Sequence, residues 1–204
     1  MNEGKIIAIT GGPRSGKSTL VKLLSQRLGA TPFLEGEEKD FPTRIIDDIA
    51  QGDNQLELVL YFRNLLIKQY AEALRIKQEG KIAVLDCFWL TNQVYIDAWV
   101  PDEFQRSLLT ELTNLDMQTY PWPDAVLVLT QSDEGIREFI QLGGREFENN
   151  AEYFERQLAI HRQHDRFFKE MEQRHPNVVF FDRTGLDFMG KEEDLERVLR
   201  ILPL

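Results

Sequence analysis

The sequence predicts an α/β fold: a parallel five-stranded sheet with helices on both faces. Three observations carry that expectation. Short apolar runs recur along the 204 residues, helical patterns fill the gaps between them, and the first run leads into a glycine-rich turn ahead of a helix. The runs are Lys5 to Thr10, Thr31 to Leu34, Lys81 to Leu85, Ala125 to Thr130 and Val178 to Phe181. Each is continuously apolar rather than alternating, as parallel strands covered on both faces must be. Helices are expected over Ser18 to Leu28, closed by Gly29 in a left-handed C-cap, and over about Asn54 to Glu79, stopped by Gly80. Thr91 to Trp99 and Glu103 to Met117 follow, separated by Pro101, then a short helix ending near Leu142. Ala151 to Gln173 and Glu192 to Ile201 complete the set. Strand–helix alternation of this kind gives right-handed crossovers and one parallel sheet. No repeat or linker interrupts it, so residues 1–204 are expected to form a single domain.

The glycine-rich turn reads Gly11-Gly12-Pro13-Arg14-Ser15-Gly16-Lys17-Ser18, a full match to G-x-x-x-x-G-K-[ST], followed by Thr19. Strand, turn and helix N-terminus are the context in which this motif works. Glycines let successive N–H groups curl around a phosphate, and the positive end of the helix dipole points at the same spot. Lys17 is expected to reach the terminal phosphates from an exposed position, and the Ser18 hydroxyl to ligate Mg²⁺. The fold is therefore expected to be of the P-loop NTPase kind, with ATP and Mg²⁺ as cofactors.

Composition narrows the partners. With 34 acidic and 24 basic residues the net charge is −10, which argues against a long nucleic-acid contact surface. Cys87 is the only cysteine, so there is neither an intrachain disulfide nor a cysteine zinc cluster, and a reducing cytoplasmic compartment is expected. No apolar stretch approaches the roughly 20 residues of a membrane helix, and with the first strand starting near Lys5 no signal peptide is expected.

Two carboxylates end strands. Ile82-Ala83-Val84-Leu85 leads to Asp86, and Pro32-Phe33-Leu34 leads to Glu35. Ligands of open α/β sheets sit outside the carboxyl ends of the strands, which puts both beside the phosphate loop. Asp86 is expected to hold Mg²⁺, and Glu35 to take the proton from an attacking hydroxyl. The competing reading for each is a solvated acidic turn, all the more for Glu35 with Glu37 and Glu38 following. Residues 143–150, rich in Gly, Asn and charge, suggest a mobile lid carrying Arg145 as a transition-state cation, against an ordinary polar connection. His161 and His164 lie three apart on a charged helix and are expected to face solvent. Tyr61, Phe62, Phe88, Trp89 and Tyr95 are candidates for a base pocket or for core.

These residues together resemble the deoxynucleoside kinases, especially the bacterial deoxyadenosine/deoxyguanosine kinase type, over nearly the whole chain. Thr31-Pro32-Phe33-Leu34-Glu35 is similar to the strand that ends in the family's Glu-Pro-Val motif, and implies Glu35 as general base. Leu60-Tyr61-Phe62 resembles the centre of the family's substrate helix, and Gly144-Arg145-Glu146 with Glu152-Tyr153-Phe154 its lid and following helix. Leu186-Asp187-Phe188 and Glu193-Asp194-Leu195 are similar to its adenine-side loop and last helix. The departures are Cys87 and Phe88 where an Arg and a Ser follow the acid, Gly36 in the Glu-Pro-Val motif, and Leu66 for a basic residue. Val59 stands for a base-reading Gln, and Asn92 for an Asp beside the base. The resemblance thus implies acceptor-binding residues Tyr61, Phe62, Val59 and Asn92, in a pocket more apolar than usual.

The expected function is ATP-dependent phosphorylation of the 5′-hydroxyl of a nucleoside or deoxynucleoside, with a small-molecule acceptor and neither nucleic acid nor membrane as partner. A thymidylate-kinase-like monophosphate kinase is the second reading, weakened by Cys87. A nucleotide-binding regulatory protein with little turnover is the third. A homodimer is compatible with all three, and the sequence does not set the assembly state.

Overall fold

The computed structural model describes residues 3–36, 40–143 and 151–203. Five strands, β1 (Lys5–Gly11), β2 (Thr31–Phe33), β3 (Ile82–Asp86), β4 (Ala125–Thr130) and β5 (Val178–Asp182), form one sheet in the order β2-β3-β1-β4-β5. Every pairing is parallel, with Ile9 beside Asp86 and Gly11 beside Leu129 in register. All five carboxyl ends therefore emerge along one edge.

Side-chain alternation explains why the strands are apolar throughout. Ile6 and Ala8 point into one core with Tyr70, Ala73, Phe88, Trp89, Ile160 and Phe168. Ile7 and Ile9 point into the other with Leu20, Val21, Leu24 and Val198. The first core is covered by α3 (Gln55–Gln78) and α7 (Ala151–Glu172), the second by α1 (Lys17–Leu28) and α8 (Glu192–Ile201). Helices α4 (Asn92–Trp99) and α5 (Glu103–Thr119) add a satellite cluster, where Ile96, Val100 and Leu109 pack on Val59 of α3. Helix α6 (Asp133–Gly143) buries Ile136 and Ile140, one turn apart, against Phe154 and Leu158 of α7.

Local chemistry sets the ends. Gly29 caps α1 at φ 61°, the left-handed geometry expected there. Asp102 caps α5 by accepting from the Gln105 N–H at 2.8 Å. Helix α2 (Thr43–Gln51), closed by Gly52 at φ 74°, is absent from the sequence-based expectation. Its apolar residues Ile45, Ile46 and Ile49 span barely two turns, and Ile45 alone of them is fully buried. The helix expected over Thr91 to Trp99 is α4, with a 3₁₀ turn at Trp89–Thr91 leading into it. No helix among the described residues is long and apolar enough to cross a membrane.

Candidate active site

The phosphate loop leaves β1 at Gly11 and enters α1 at Lys17. Its backbone needs two left-handed residues, Arg14 at φ 61° and Gly16 at φ 85°. Gly12 is required sterically, because a Cβ there would sit 2.3 Å from His161 Nδ1. Gly11 is held as tightly, against the Ser15 hydroxyl and the Leu129 carbonyl. The loop leads into the N-terminus of α1, where free helix N–H groups and the positive end of the helix dipole suit an anion. Thr19 lies in the first turn of α1 behind Ser18.

Lys17 was expected to be exposed, and it is not: its exposure is 9%. Its Nζ curls back to donate to the Gly12 carbonyl at 3.0 Å. Burial opposes its charge, but the carboxylates Asp86 and Glu35 nearby help hold its pKa above the ordinary value, so it stays cationic.

Asp86 ends β3, is 1% exposed, and accepts a hydrogen bond from Ser18 Oγ through Oδ2. Its other oxygen, Oδ1, is buried without a hydrogen-bond partner. A hydroxyl and an orphaned carboxylate oxygen are hard donors that fit a divalent cation. Among the described residues no cluster of three or more His, Cys, Asp or Glu forms a protein cage, so most ligands of such a cation would be phosphate oxygens and water. The chain turns sharply after Asp86. Cys87 is buried at φ 69°, where a side chain is strained, and its N–H donates to the Ile9 carbonyl at 2.8 Å. Burial pushes its thiol well above the usual range, so it is not a ready nucleophile.

Glu35 follows β2 and lines the same cavity. Burial and the Asp86 charge raise its pKa to about 7, with Lys17 partly offsetting them. Glu35 is thus half-buried in the cavity rather than on a solvated turn. The cavity, of about 380 Å³, opens from Lys17, Ser18, Glu35 and Asp86 toward α3, α4 and α7. Val59, Phe62 and Asn92 line it as expected, joined by Tyr95.

Tyr61 does not line it. Its ring packs edge-on against Phe41 and Phe62 at 6.1 and 5.3 Å and faces a separate groove with Ile45, Leu60 and Gln105. One residue along a helix turns the side chain by about 100°, which here carries Tyr61 to the groove outside the cavity that Phe62 lines. Phe88 and Trp89 belong to the core. Arg145 and the rest of the proposed lid after residue 143 lie outside the described residues.

The histidines overturn the expectation of a solvated face. His161 is 3% exposed and its Nε2–H donates to the Pro13 carbonyl at 2.7 Å. Burial lowers its pKa to about 4, so the ring is neutral. His164, 1% exposed, hydrogen-bonds Thr10 Oγ1 at 2.7 Å through Nε2. Helix α7 thereby holds the phosphate loop at Pro13 and the end of β1 at Thr10. On the far side Arg183, 4% exposed, donates to the Ser15 carbonyl at 3.1 Å and the Leu186 carbonyl at 2.9 Å. Its guanidinium lies 4.0 Å from the Phe139 ring centre. Nothing local marks these three residues in the sequence, because their partners lie 148, 154 and 168 residues away.

A family model described as an AAA domain matches residues 6–134. The chain belongs to the AAA-domain family. The AAA-domain match takes in the phosphate loop, Glu35, Asp86 and the α3 and α4 walls, and stops within α6. The chain is 24% identical over 205 residues to a deoxyguanosine kinase of Bacillus subtilis, covering 97% of this chain and 96% of that one. It superposes on the deoxyadenosine kinase from M. mycoides with products dCMP and a flexible dCDP bound, at TM-score 0.75 and 19% identity, covering 96% and 97%. A thymidylate kinase from Candida albicans superposes at TM-score 0.66 and 19% identity, covering 98% and 91%. The resemblance and the P-loop kinase fold read from the sequence are both borne out.

Proposed function

We propose that this AAA-domain protein is an ATP-dependent kinase that phosphorylates the 5′-hydroxyl of a nucleoside or deoxynucleoside. One observation carries the choice of acceptor. Among the described residues the only cations lining the cavity are Arg14 and Lys17, both in the phosphate loop, while Glu35 and Asp86 face it as carboxylates. A phosphomonoester acceptor would bring about two negative charges toward those carboxylates with, among the described residues, no cation outside the phosphate loop to receive it. A neutral acceptor meets no such penalty, which favours a nucleoside over a nucleoside monophosphate.

The roles follow from position. The triphosphate rests on the loop and α1, with Lys17 toward its terminal phosphates. Glu35 accepts the proton of the acceptor hydroxyl as its oxygen bonds to the γ-phosphorus, and the bond to the β–γ bridging oxygen breaks to release ADP. Ser18 and Asp86 would hold Mg²⁺, which when bound neutralises charge on the phosphate oxygens. Val59, Phe62 and Asn92 contact the acceptor. Residues 1–204 act as one domain, with the segment 143–150 as lid and Arg145 as its cation.

The test is ADP release from ATP·Mg²⁺ with a panel of nucleosides and nucleoside monophosphates. At least one nucleoside should be phosphorylated with kcat/KM about tenfold or more above its monophosphate. Preference for a monophosphate would reverse the acceptor assignment. Binding of ATP with no ADP above background for any acceptor would make the protein a nucleotide sensor.

A further inference from the structure

The acceptor cavity has two unlike walls. From α3 come Leu58, Val59, Phe62 and Leu66, which offer no hydrogen bond. The polar atoms come from the opposite side: Thr91, Asn92 and Tyr95 around α4, and Tyr153 and Gln157 on α7. The Thr91 hydroxyl is engaged with Thr10 Oγ1 at 3.2 Å. Two carboxamides are not satisfied. Asn92, 3% exposed, has Nδ2 buried without a partner, and Gln157, 6% exposed, has Oε1 buried without a partner.

Orphaned buried polar atoms cost free energy that only a partner recovers, so two of them around one cavity point to what the cavity takes. We propose that Gln157, together with Asn92, reads the hydrogen-bonding edge of the acceptor's nucleobase, whose ring lies against the apolar α3 wall. This rests on the nucleoside-kinase reading and adds to it the residue that recognises the base. The Asn92 amide N–H₂ donates to an acceptor atom on the base edge, and Gln157 Oε1 accepts from a neighbouring N–H.

Gln157 also lines an adjoining cavity of about 240 Å³, shared with Gln55, Trp99, Tyr153 and Arg156. Space on that side lets the Gln157 carboxamide rotate, and with the Asn92 carboxamide turned likewise the pair presents donor and acceptor in either order, one for adenine and cytosine and the reverse for guanine and thymine. The four common bases each carry one donor and one acceptor side by side on an edge. The site therefore demands a paired edge without strongly preferring which base supplies it.

Calorimetric titration of the full-length protein with nucleosides tests this without relying on turnover. Deoxyadenosine, deoxyguanosine, deoxycytidine and thymidine should bind within about tenfold of one another. Purine 2′-deoxyriboside, which lacks the exocyclic donor, should bind about tenfold or more weakly than deoxyadenosine, the discrimination expected when a buried polar group is left unpaired. In Gln157→Leu the natural nucleosides should lose about tenfold and the analogue should not, while affinity for a non-hydrolysable ATP analogue is unchanged. Gln157→Glu, of the same shape, covers a folding failure of the leucine variant. It keeps an acceptor and loses the donor, so it should favour deoxyadenosine and deoxycytidine over deoxyguanosine and thymidine. Equal binding of the analogue and deoxyadenosine by the unmodified protein overturns the proposal, as does a variant that keeps the discrimination. Absence of nucleoside binding also overturns it. Nucleoside binding without phosphoryl transfer would defeat the kinase reading and leave the edge reader standing.

Discussion

Glu35 carries the clearest consequence at the scale of one residue. Its carboxyl is raised from the ordinary 4.5 to about 7, first by burial and then by Asp86. A base works deprotonated, so activity should climb as pH rises through about 7 rather than level off near 5. Glu35→Gln should lower kcat by about 10²–10⁴-fold and erase that limb of the pH profile, with nucleotide affinity little changed. Asp86→Asn should instead raise the Mg²⁺ concentration needed for half-maximal rate, because the lost charge faces the cation. A pH profile that keeps its limb in Glu35→Gln would assign the limb, and the base, to another group. Both carboxylates were legible in the sequence because a strand end is a fixed address in a parallel sheet. Their electrostatic coupling was not legible, since 51 residues separate Glu35 from Asp86 along the chain.

Among the elements, α7 holds most of what the sequence concealed. The five strands and their order of appearance follow from apolar runs, a local signal that survives folding. The polarity of α7 reads as a solvated face until its partners are known, and these are Pro13 and Thr10, 148 and 154 residues away. Arg183 is the same case, paired with Ser15 at a separation of 168. Because a neutral His161 donates to the Pro13 carbonyl, it positions the loop rather than touching phosphate. His161→Ala should therefore raise the KM for ATP by about 5- to 10-fold, as loss of one hydrogen bond implies, with a smaller change in kcat. His161→Gln, which keeps an N–H donor, should recover most of that loss. No titration of this contact is expected near pH 6.5, since the ring stays neutral down to about 4. Equal losses in KM for ATP and for acceptor would reduce His161 to a packing residue.

On the scale of the whole molecule, the parallel sheet delivers the phosphate loop, Glu35, Asp86 and Arg183 to one edge, from four different strands. The two substrates then meet across that edge, and α7 reaches both: Tyr153 and Gln157 face the acceptor cavity, and His161 and His164 hold the loop two turns further on. Contacts to both sites from one stretch of α7, residues 153–164, make the two occupancies thermodynamically linked. Ordering α7 against an acceptor leaves less to be ordered when the triphosphate arrives. A non-hydrolysable ATP analogue should tighten nucleoside binding by about 5-fold or more, and the nucleoside should tighten the analogue by the same factor, since linkage is reciprocal. His161→Ala should bring both factors toward one, and unequal factors in the two directions would show that the titrations report something other than equilibrium. Either substrate alone would then be a poor measure of the other's affinity, because each dissociation constant is a function of how full the neighbouring site already is.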